Sequence, residues 1–334
     1  MQSKQNQAIH VVIGPTASGK SEYAVGLAKK HNGEIISADS RQVYRGLDIG
    51  TGKIPGHWVI PKSDGRHKRE YIYKNIRHHC IDFVSPKHQY TVSDFKRDGE
   101  KAIRDILSRD KTPIICGGTG QFIDALVLDT HIPEVPPNPK FRKQMEKKTP
   151  AQLFALLKKK DPVRASSIDS QNPRRLIRAL EIVHATGKPV PEQELHMTYR
   201  SYKTYKSYPS YKTYTTYGGQ VIPIKIHYLN PPRAVLFKRI EKRLKERINL
   251  GMVKEVVTLR AQGITWKRLE ELGLEYRYVS RYVRRENDMK SREGKKWKIS
   301  RFIESPYYVE LLSEIKHYAK RQETWFKKYT NVAK

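Results

Sequence analysis

Ala8-Ile-His-Val-Val-Ile13-Gly14-Pro-Thr-Ala-Ser-Gly19-Lys20-Ser21 decides the fold of this chain. A short β-branched apolar run ends in glycine, the pattern G-x-x-x-x-G-K-[ST] follows without a mismatch, and apolar residues then recur at Ala24, Val25, Leu27 and Ala28. That order predicts strand, tight loop and helix. In such a loop, glycines let successive backbone N–H groups curl round a diphosphate, and the helix N-terminus adds positive potential. Gly14, Pro15, Thr16, Ala17, Ser18, Gly19, Lys20 and Ser21 are therefore the candidate diphosphate-binding residues. Lys20 is placed to reach phosphate oxygens and Ser21 to offer its hydroxyl to Mg²⁺. The pattern does not name its ligand, because ATP, GTP and a prenyl diphosphate present the same oxygens.

Working outward, Glu34 to Ala38 and Thr112 to Cys116 are further short apolar runs, with a helical stretch from Val92 to Leu107 before the second. Strands alternating with helices predict an α/β fold, a P-loop NTPase-like parallel sheet flanked by helices. From Asp129 the texture changes. Pro133, Pro136, Pro137 and Pro139 make a stiff connector, a lysine-rich helical segment follows to Lys160, and Arg174 to Thr186 forms another helix ended by Gly187. This predicts an inserted helical subdomain. Val221 to Leu229 returns as a strand, and Ala234 to Leu259 is expected to be one long basic helix with Leu236, Ile240, Leu244 and Ile248 spaced by four. The expected organisation is a core domain over residues 1–130, the helical subdomain over 131–198, a Tyr-rich linker over 199–219 and the second part of the core over 220–334. Within the linker a tyrosine stands at every third residue from Tyr199 to Tyr217, separated almost entirely by Lys, Ser and Thr. A three-residue period also suits an extended helix that stacks rings on unpaired bases.

The 334-residue chain is 37% hydrophobic, enough for a real core, and carries a formal net charge of +31. Such an excess costs self-repulsion in the compact state and calls for a polyanionic partner. Nucleic acid suits it better than a bilayer, since no apolar stretch approaches the roughly 20 residues a membrane span needs. The polar Met1 to Gln7 is unlike a signal peptide, so a cytosolic protein is expected. Cys80 and Cys116 are the only cysteines, which excludes disulfide scaffolds and multi-cysteine zinc ribbons.

Asp39 follows a predicted parallel strand and should project from its carboxyl end beside the phosphate loop. It is placed to serve Mg²⁺ from the second shell or to act as a general base. Gly117-Gly-Thr119-Gly120 follows the next strand in the same way, with Thr119 able to donate to a substrate. His78, His79, Cys80 and Asp82 do not make a metal site, because adjacent strand side chains diverge and no second ligand pair stands at zinc spacing. Arg174, Arg175 and Arg178, then Arg233, Arg239, Arg243 and Arg247, line two helices as solvated faces or phosphate contacts.

Together these blocks resemble the tRNA dimethylallyltransferases, or tRNA isopentenyltransferases, of the bacterial type. The resemblance rests on Gly14 to Ser21, Ile36-Ser-Ala-Asp39-Ser-Arg-Gln42-Val-Tyr-Arg-Gly-Leu-Asp-Ile-Gly-Thr51, His78 to Asp82, Gly117 to Gly120, Asn172-Pro-Arg-Arg-Leu-Ile-Arg-Ala-Leu-Glu181, Arg239 to Arg243, Gly273-Leu-Glu-Tyr-Arg277 and Arg321-Gln-Glu-Thr-Trp325. It implies transfer of a dimethylallyl group from its diphosphate to the N6 amine of the adenosine 3′ of the anticodon, with Mg²⁺. By resemblance Lys20, Ser21 with the metal, and Arg243 neutralise the leaving diphosphate, and Asp39 is the base. Also by resemblance, Asp39, Ser40, Arg41, Gln42, Thr119, Arg142, Arg174, Arg175, Leu176, Ile177, Arg178, Gly273, Leu274, Glu275, Tyr276 and Arg277 line the path of the tRNA. A single chain acting on one tRNA, away from membranes, is expected. Ser21 stands where threonine is common, Phe122 where tyrosine is usual, and Gly56 to Arg77 is longer and more basic than the usual connector. Two other readings of the residues stay open. A small-molecule or nucleotide kinase leaves the charge without a purpose, and an RNA-binding NTPase gives Asp39 and Thr119 no task beyond metal.

Overall fold

Fully buried strands and amphipathic helices build the architecture. The computed structural model describes residues 8–60, 69–128, 132–191, 213–217, 220–293 and 302–330. The chain divides into two compact units, Met1–Leu128 with Met197–Lys334, and Asp129–His196.

The first unit contains a sheet of eight strands. In chain order these are β1 (Ile9–Ile13), β2 (Gly33–Ser37), β3 (His57–Val59), β4 (Glu70–Tyr73), β5 (Ile76–His79), β6 (Thr112–Gly117), β7 (Thr213–Tyr217) and β8 (Gln220–Tyr228). They lie in the order β3-β4-β5-β2-β6-β1-β8-β7. The central pairs β5·β2, β2·β6, β6·β1 and β1·β8 are parallel, while β3·β4, β4·β5 and β7·β8 are antiparallel. Parallel strands buried on both faces read as continuous apolar runs, which is why β1 is Ile-His-Val-Val-Ile. Ile9, Val11 and Ile13 pack on one face with Phe95, Ile103, Ile123 and Phe326. Val12 packs on the other with Ala24, Val25 and Ala28 of helix α1 (Lys20–Lys30). Helix α2 (Val92–Ser108) starts at a capping box in which Thr91 and Asp94 satisfy each other's backbone N–H groups, and α3 (Gly120–Val127) follows β6.

The second unit holds α4 (Pro139–Met145), α5 (Pro150–Lys160), α6 (Pro162–Ser167) and α7 (Pro173–Thr186), around Met145, Leu153, Leu157, Leu176, Ile177 and Leu180. Each helix carries proline in its first turn after an Asn, Thr or Asp cap.

After β8 come α8 (Arg233–Asn249), α9 (Met252–Ala261), α10 (Trp266–Glu271), α11 (Leu274–Glu293) and α12 (Pro306–Thr330). Two expectations are corrected here. The single helix Ala234 to Leu259 is two helices, because Gly251 adopts φ 106 and caps α9 at its N-terminus. Leu236, Ile240, Leu244 and Ile248 are nonetheless all buried, as their spacing predicted. The linker over 199–219 is a strand over Thr213–Tyr217, whose backbone pairs with β8. The repeat over 199–212 lies outside the described residues. Among the described residues no helix is long and apolar enough to cross a membrane.

Candidate active site

The phosphate loop leaves β1 at Gly14, whose φ is 152 and where a Cβ would overlap the carbonyl of Leu229. Only glycine fits there. The loop closes with Ser18 N–H donating to Pro15 O (3.3 Å), and Gly19, at φ 95, caps α1. Ala17 is held at φ 61, a left-handed conformation that costs an alanine roughly 1–2 kcal/mol. Lys20 Nζ folds back over the loop, donating to Pro15 O at 2.6 Å. Burial pushes its ammonium down to about 8; Arg243 adds to this and Asp39 opposes it.

At the end of β2, Asp39 turns its own chain: Oδ1 accepts from the N–H groups of Arg41 (2.8 Å) and Gln42 (3.4 Å). This turn is stitched to the end of β6. Thr119 N–H donates to Ala38 O at 3.2 Å, and Ser40 N–H donates to Thr119 Oγ1 at 3.0 Å. Gly117 packs so closely on Ala38 that a Cβ would overlap its carbonyl. Thr119, expected to donate to substrate, gives its hydroxyl hydrogen to Ser40 Oγ (3.3 Å) and does not line the cavity. It holds the Asp39 turn.

Helices α8, α9 and α11 form the opposite wall through the loop 48–52. Glu255 accepts from three successive amides, Asp48 N (3.0 Å), Ile49 N (2.7 Å) and Gly50 N (3.0 Å), and from the Tyr276 hydroxyl (2.6 Å). The loop's carbonyls are thereby turned to the arginines of α8. Gly52 O receives Arg243 Nη2 at 3.2 Å, and Gly50 O receives Arg247 Nη1 at 3.1 Å. Tyr276 is 1% exposed, so it supports this wall rather than offering a face to nucleic acid. Helix α12 closes the site. Gln322 Oε1 accepts Thr16 N–H (2.8 Å) and its Nε2 donates to Gly118 O (2.7 Å), bridging phosphate loop and glycine loop.

The result is one cavity of about 320 Å³ that brings Thr16, Ala17, Lys20, Ser21, Asp39, Ser40, Arg41, Gln42, Arg243 and Gly273 to Arg277 together. Six cationic side chains line it against the carboxylates of Asp39 and Glu275. Such a pocket receives an anion and sets a carboxylate beside it.

In the second unit the expected run 174–178 divides by helical face. Leu176 and Ile177 are 0% and 7% exposed, in the core, so their side chains line no path. Arg174 and Arg175 are exposed, whereas Arg178 Nη1 (2.6 Å) and Arg142 Nη2 (2.7 Å) grip Glu181 Oε2. Burial alone would raise the Glu181 carboxyl; the bonds from Arg142, Asn138 N–H and Arg178 hold it at about 2. A contiguous helical run cannot face one side, which is the physical reason for this correction.

His78, His79, Cys80 and Asp82 diverge. His78 donates to its own strand at Ile76 O, His79 meets Glu34 at 2.7 Å, and Asp82 takes Lys53 and Trp58. Glu34, His79 and Asp105 do cluster among the described residues, but Arg109 and Lys111 already compensate Glu34. The sequence marks Arg247 as a solvated or phosphate-contacting arginine, gives Glu255 no role and places Gln322 only within its block. The one local signal was a polar triplet, Arg321-Gln-Glu323, in an amphipathic helix, with Gln322 and Glu323 buried.

Comparison with known proteins agrees with this geometry. The IPP transferase family model matches residues 42–329, and the isopentenyl transferase model residues 7–72. The tRNA dimethylallyltransferase 2 of Treponema denticola is 37% identical, over 95% of this chain and 91% of that protein. The tRNA isopentenylpyrophosphate transferase structure from Bacillus halodurans superposes with a TM-score of 0.56 at 28% identity, covering 96% of this chain and 87% of the other. A eukaryotic dimethylallyltransferase acting on tRNA shares the fold, with a TM-score of 0.66 at 23% identity over 96% of this chain and 70% of that one. With a phosphate loop, a carboxylate turn and an arginine wall in one cavity, and with the family model matched over residues 42–329, this chain belongs to the IPP transferase family.

Proposed function

We propose that the chain transfers a dimethylallyl group from dimethylallyl diphosphate to the N6 amine of the adenosine 3′ of the anticodon in tRNA. The observation that carries this reading is the single cavity shared by Lys20, Asp39 and Arg243. An aromatic amine is a weak nucleophile, so the electrophile does most of the work. The allylic C1–O bond breaks with its electron pair leaving on the diphosphate, and the N6 lone pair forms the new C–N bond. Preorganised cations at the departing oxygens stabilise the charge that develops there. Lys20 and Arg243 supply them, and the amides of the phosphate loop add to their field. Asp39 Oδ1 accepts the N–H of Arg41, and a carboxylate held in place this way supports its reading as the acceptor of the N6 proton. General-base help of this kind is worth ~10²–10⁴ in rate.

The Ser21 hydroxyl and the Asp39 carboxylate line the same cavity and are hard oxygen donors, a set that fits Mg²⁺ kept largely hydrated beside a diphosphate. When bound there, the metal would neutralise diphosphate charge. A nucleobase stacked in a helix cannot enter a cavity of this size, so the adenosine must be extruded, which an unpaired loop makes cheap. The exposed Arg174 and Arg175 and the net charge of +31 favour a polyanionic substrate. Incubation of the full chain with dimethylallyl diphosphate, Mg²⁺ and unmodified tRNA should add one prenyl group to one adenosine by mass. Consumption of ATP with no gain of mass on the RNA would reject the reading in favour of a kinase or an RNA-binding NTPase.

A further inference from the structure

Arg247 stands four residues after Arg243 on α8, so both project from one helix face into the cavity wall. Their guanidiniums share a space that a side chain at position 52 would fill: a Cβ on Gly52, at φ 59, would overlap both Arg243 Nη2 and Arg247 Nη2. Among the described residues each arginine meets one loop carbonyl, Gly52 O for Arg243 and Gly50 O for Arg247. Among the described residues one carboxylate is in direct contact with the pair, Glu275, whose Oε1 lies 3.0 Å from Arg247 Nη1, while Asp39 and Glu246 act on Arg243 from farther away. Arg247 is 9% exposed, and its buried Nε has no hydrogen-bond partner among the described residues. Burial and the neighbouring Arg247 together push the Arg243 guanidinium down to about 10, a sign of crowded like charge. Two desolvated guanidiniums side by side with one carboxylate in contact are costly unless an anion completes them.

We infer that Arg243 and Arg247 form a paired-guanidinium site for one phosphate of the prenyl diphosphate, with Arg247 the second arm and Gly52 the residue that makes room for it. The inference rests on the proposed transferase reading and deepens it, since it assigns a residue to the leaving group that the phosphate loop does not provide. Planar guanidiniums match phosphate oxygens two at a time, and a pair of them selects a doubly charged terminal phosphate over a monoanion.

The test uses inorganic pyrophosphate with Mg²⁺, titrated calorimetrically into the full chain. Arg247→Met keeps the length and packing of the stem and should weaken pyrophosphate binding about 10- to 100-fold, the loss expected for one charge-assisted contact. Arg247→Lys should recover part of that loss. Glu275→Gln removes the competing carboxylate and should bind pyrophosphate more tightly than the wild type. A merely structural Arg247–Glu275 pair predicts the opposite, equal weakening in both variants. Binding by Arg247→Met within about twofold of wild type, or Glu275→Gln weakening as much as Arg247→Met, would overturn the inference. If Arg247→Met does not fold, Arg247→Lys decides: unchanged binding overturns the inference and weakened binding supports it. The mass assay on tRNA separates the two ideas. Arginine-dependent pyrophosphate binding without RNA modification leaves the anion site standing and removes the transferase; modification with Arg247-independent binding does the reverse.

Discussion

Gln322, near the end of the chain, accepts the backbone N–H of Thr16 at 2.8 Å, a contact across 306 positions of sequence. Its amide nitrogen simultaneously holds Gly118 O at 2.7 Å. One 6% exposed side chain therefore fixes the spacing of the two loops that end β1 and β6.

Gln322→Leu should leave a buried donor and a buried acceptor unpaired. Each such group costs about 1–3 kcal/mol, so the variant should unfold at distinctly lower urea concentration. The KM for dimethylallyl diphosphate should rise as well, because the phosphate loop loses its tether. A loss of stability with an unaltered KM would show that the bridge does not shape the loop.

Asp39→Asn keeps an oxygen for the N–H of Arg41 and removes the charge. Single-turnover kinetics should show a rate lower by ~10²–10⁴, with pyrophosphate binding retained or tighter. Asp39→Ala should lose the same rate and some stability, since it also removes the turn's acceptor.

The pH dependence follows from Lys20, held at about 8 against an ordinary 10.5. Between about 8 and 10.5 the unfolded chain keeps a proton that the folded chain has lost, so folding stability rises with pH across that window. Below it the cost of the buried ammonium is fully present. Binding runs the other way: kcat/KM for the diphosphate should fall above an apparent pKa near 8. Pyrophosphate binding at alkaline pH should take up a proton, detectable by calorimetry in buffers of different ionisation enthalpy. Lys20→Arg should abolish both effects.

In the second unit, Glu181→Gln should be destabilising by about 3 kcal/mol, the cost of breaking a buried, doubly gripped carboxylate. Its carboxyl titrates at about 2 when folded and at 4.5 otherwise, so the stabilisation is present above 4.5 and is lost as pH falls toward 2. Acid denaturation followed by a probe in residues 132–191 should show this window in the wild type and not in the variant.

The phosphate loop, the carboxylate at 39 and the glycines after β6 were legible because each is announced locally, by a strand, a turn residue or a glycine at a fixed offset. The Leu250-Gly251 break in the long basic helix was hidden by an apolar spacing of four that continues up to it. Arg142 and Arg178 looked like polyanion contacts because sequence shows their charge and not their partner, the buried Glu181. Helical periodicity through Leu176, Ile177 and Leu180 carried the correction in advance, since three buried positions leave only part of the run to solvent. Glu255 and Gln322 act on backbone 204 or more residues away, and no local pattern reports such a contact.

Strand β1 is flanked by β6 and by β8, and β8 does not begin until Gln220. While the ribosome makes the intervening chain, one edge of β1 therefore stays open, and the helices of residues 139–186 emerge whole before that edge is covered. The phosphate loop waits longer still, for α12 to deliver Gln322. Because α12 also brings Phe326 and Tyr329 into the core that β1 shares, a chain truncated before α12 is expected to lack both the bridge between the two loops and part of that core.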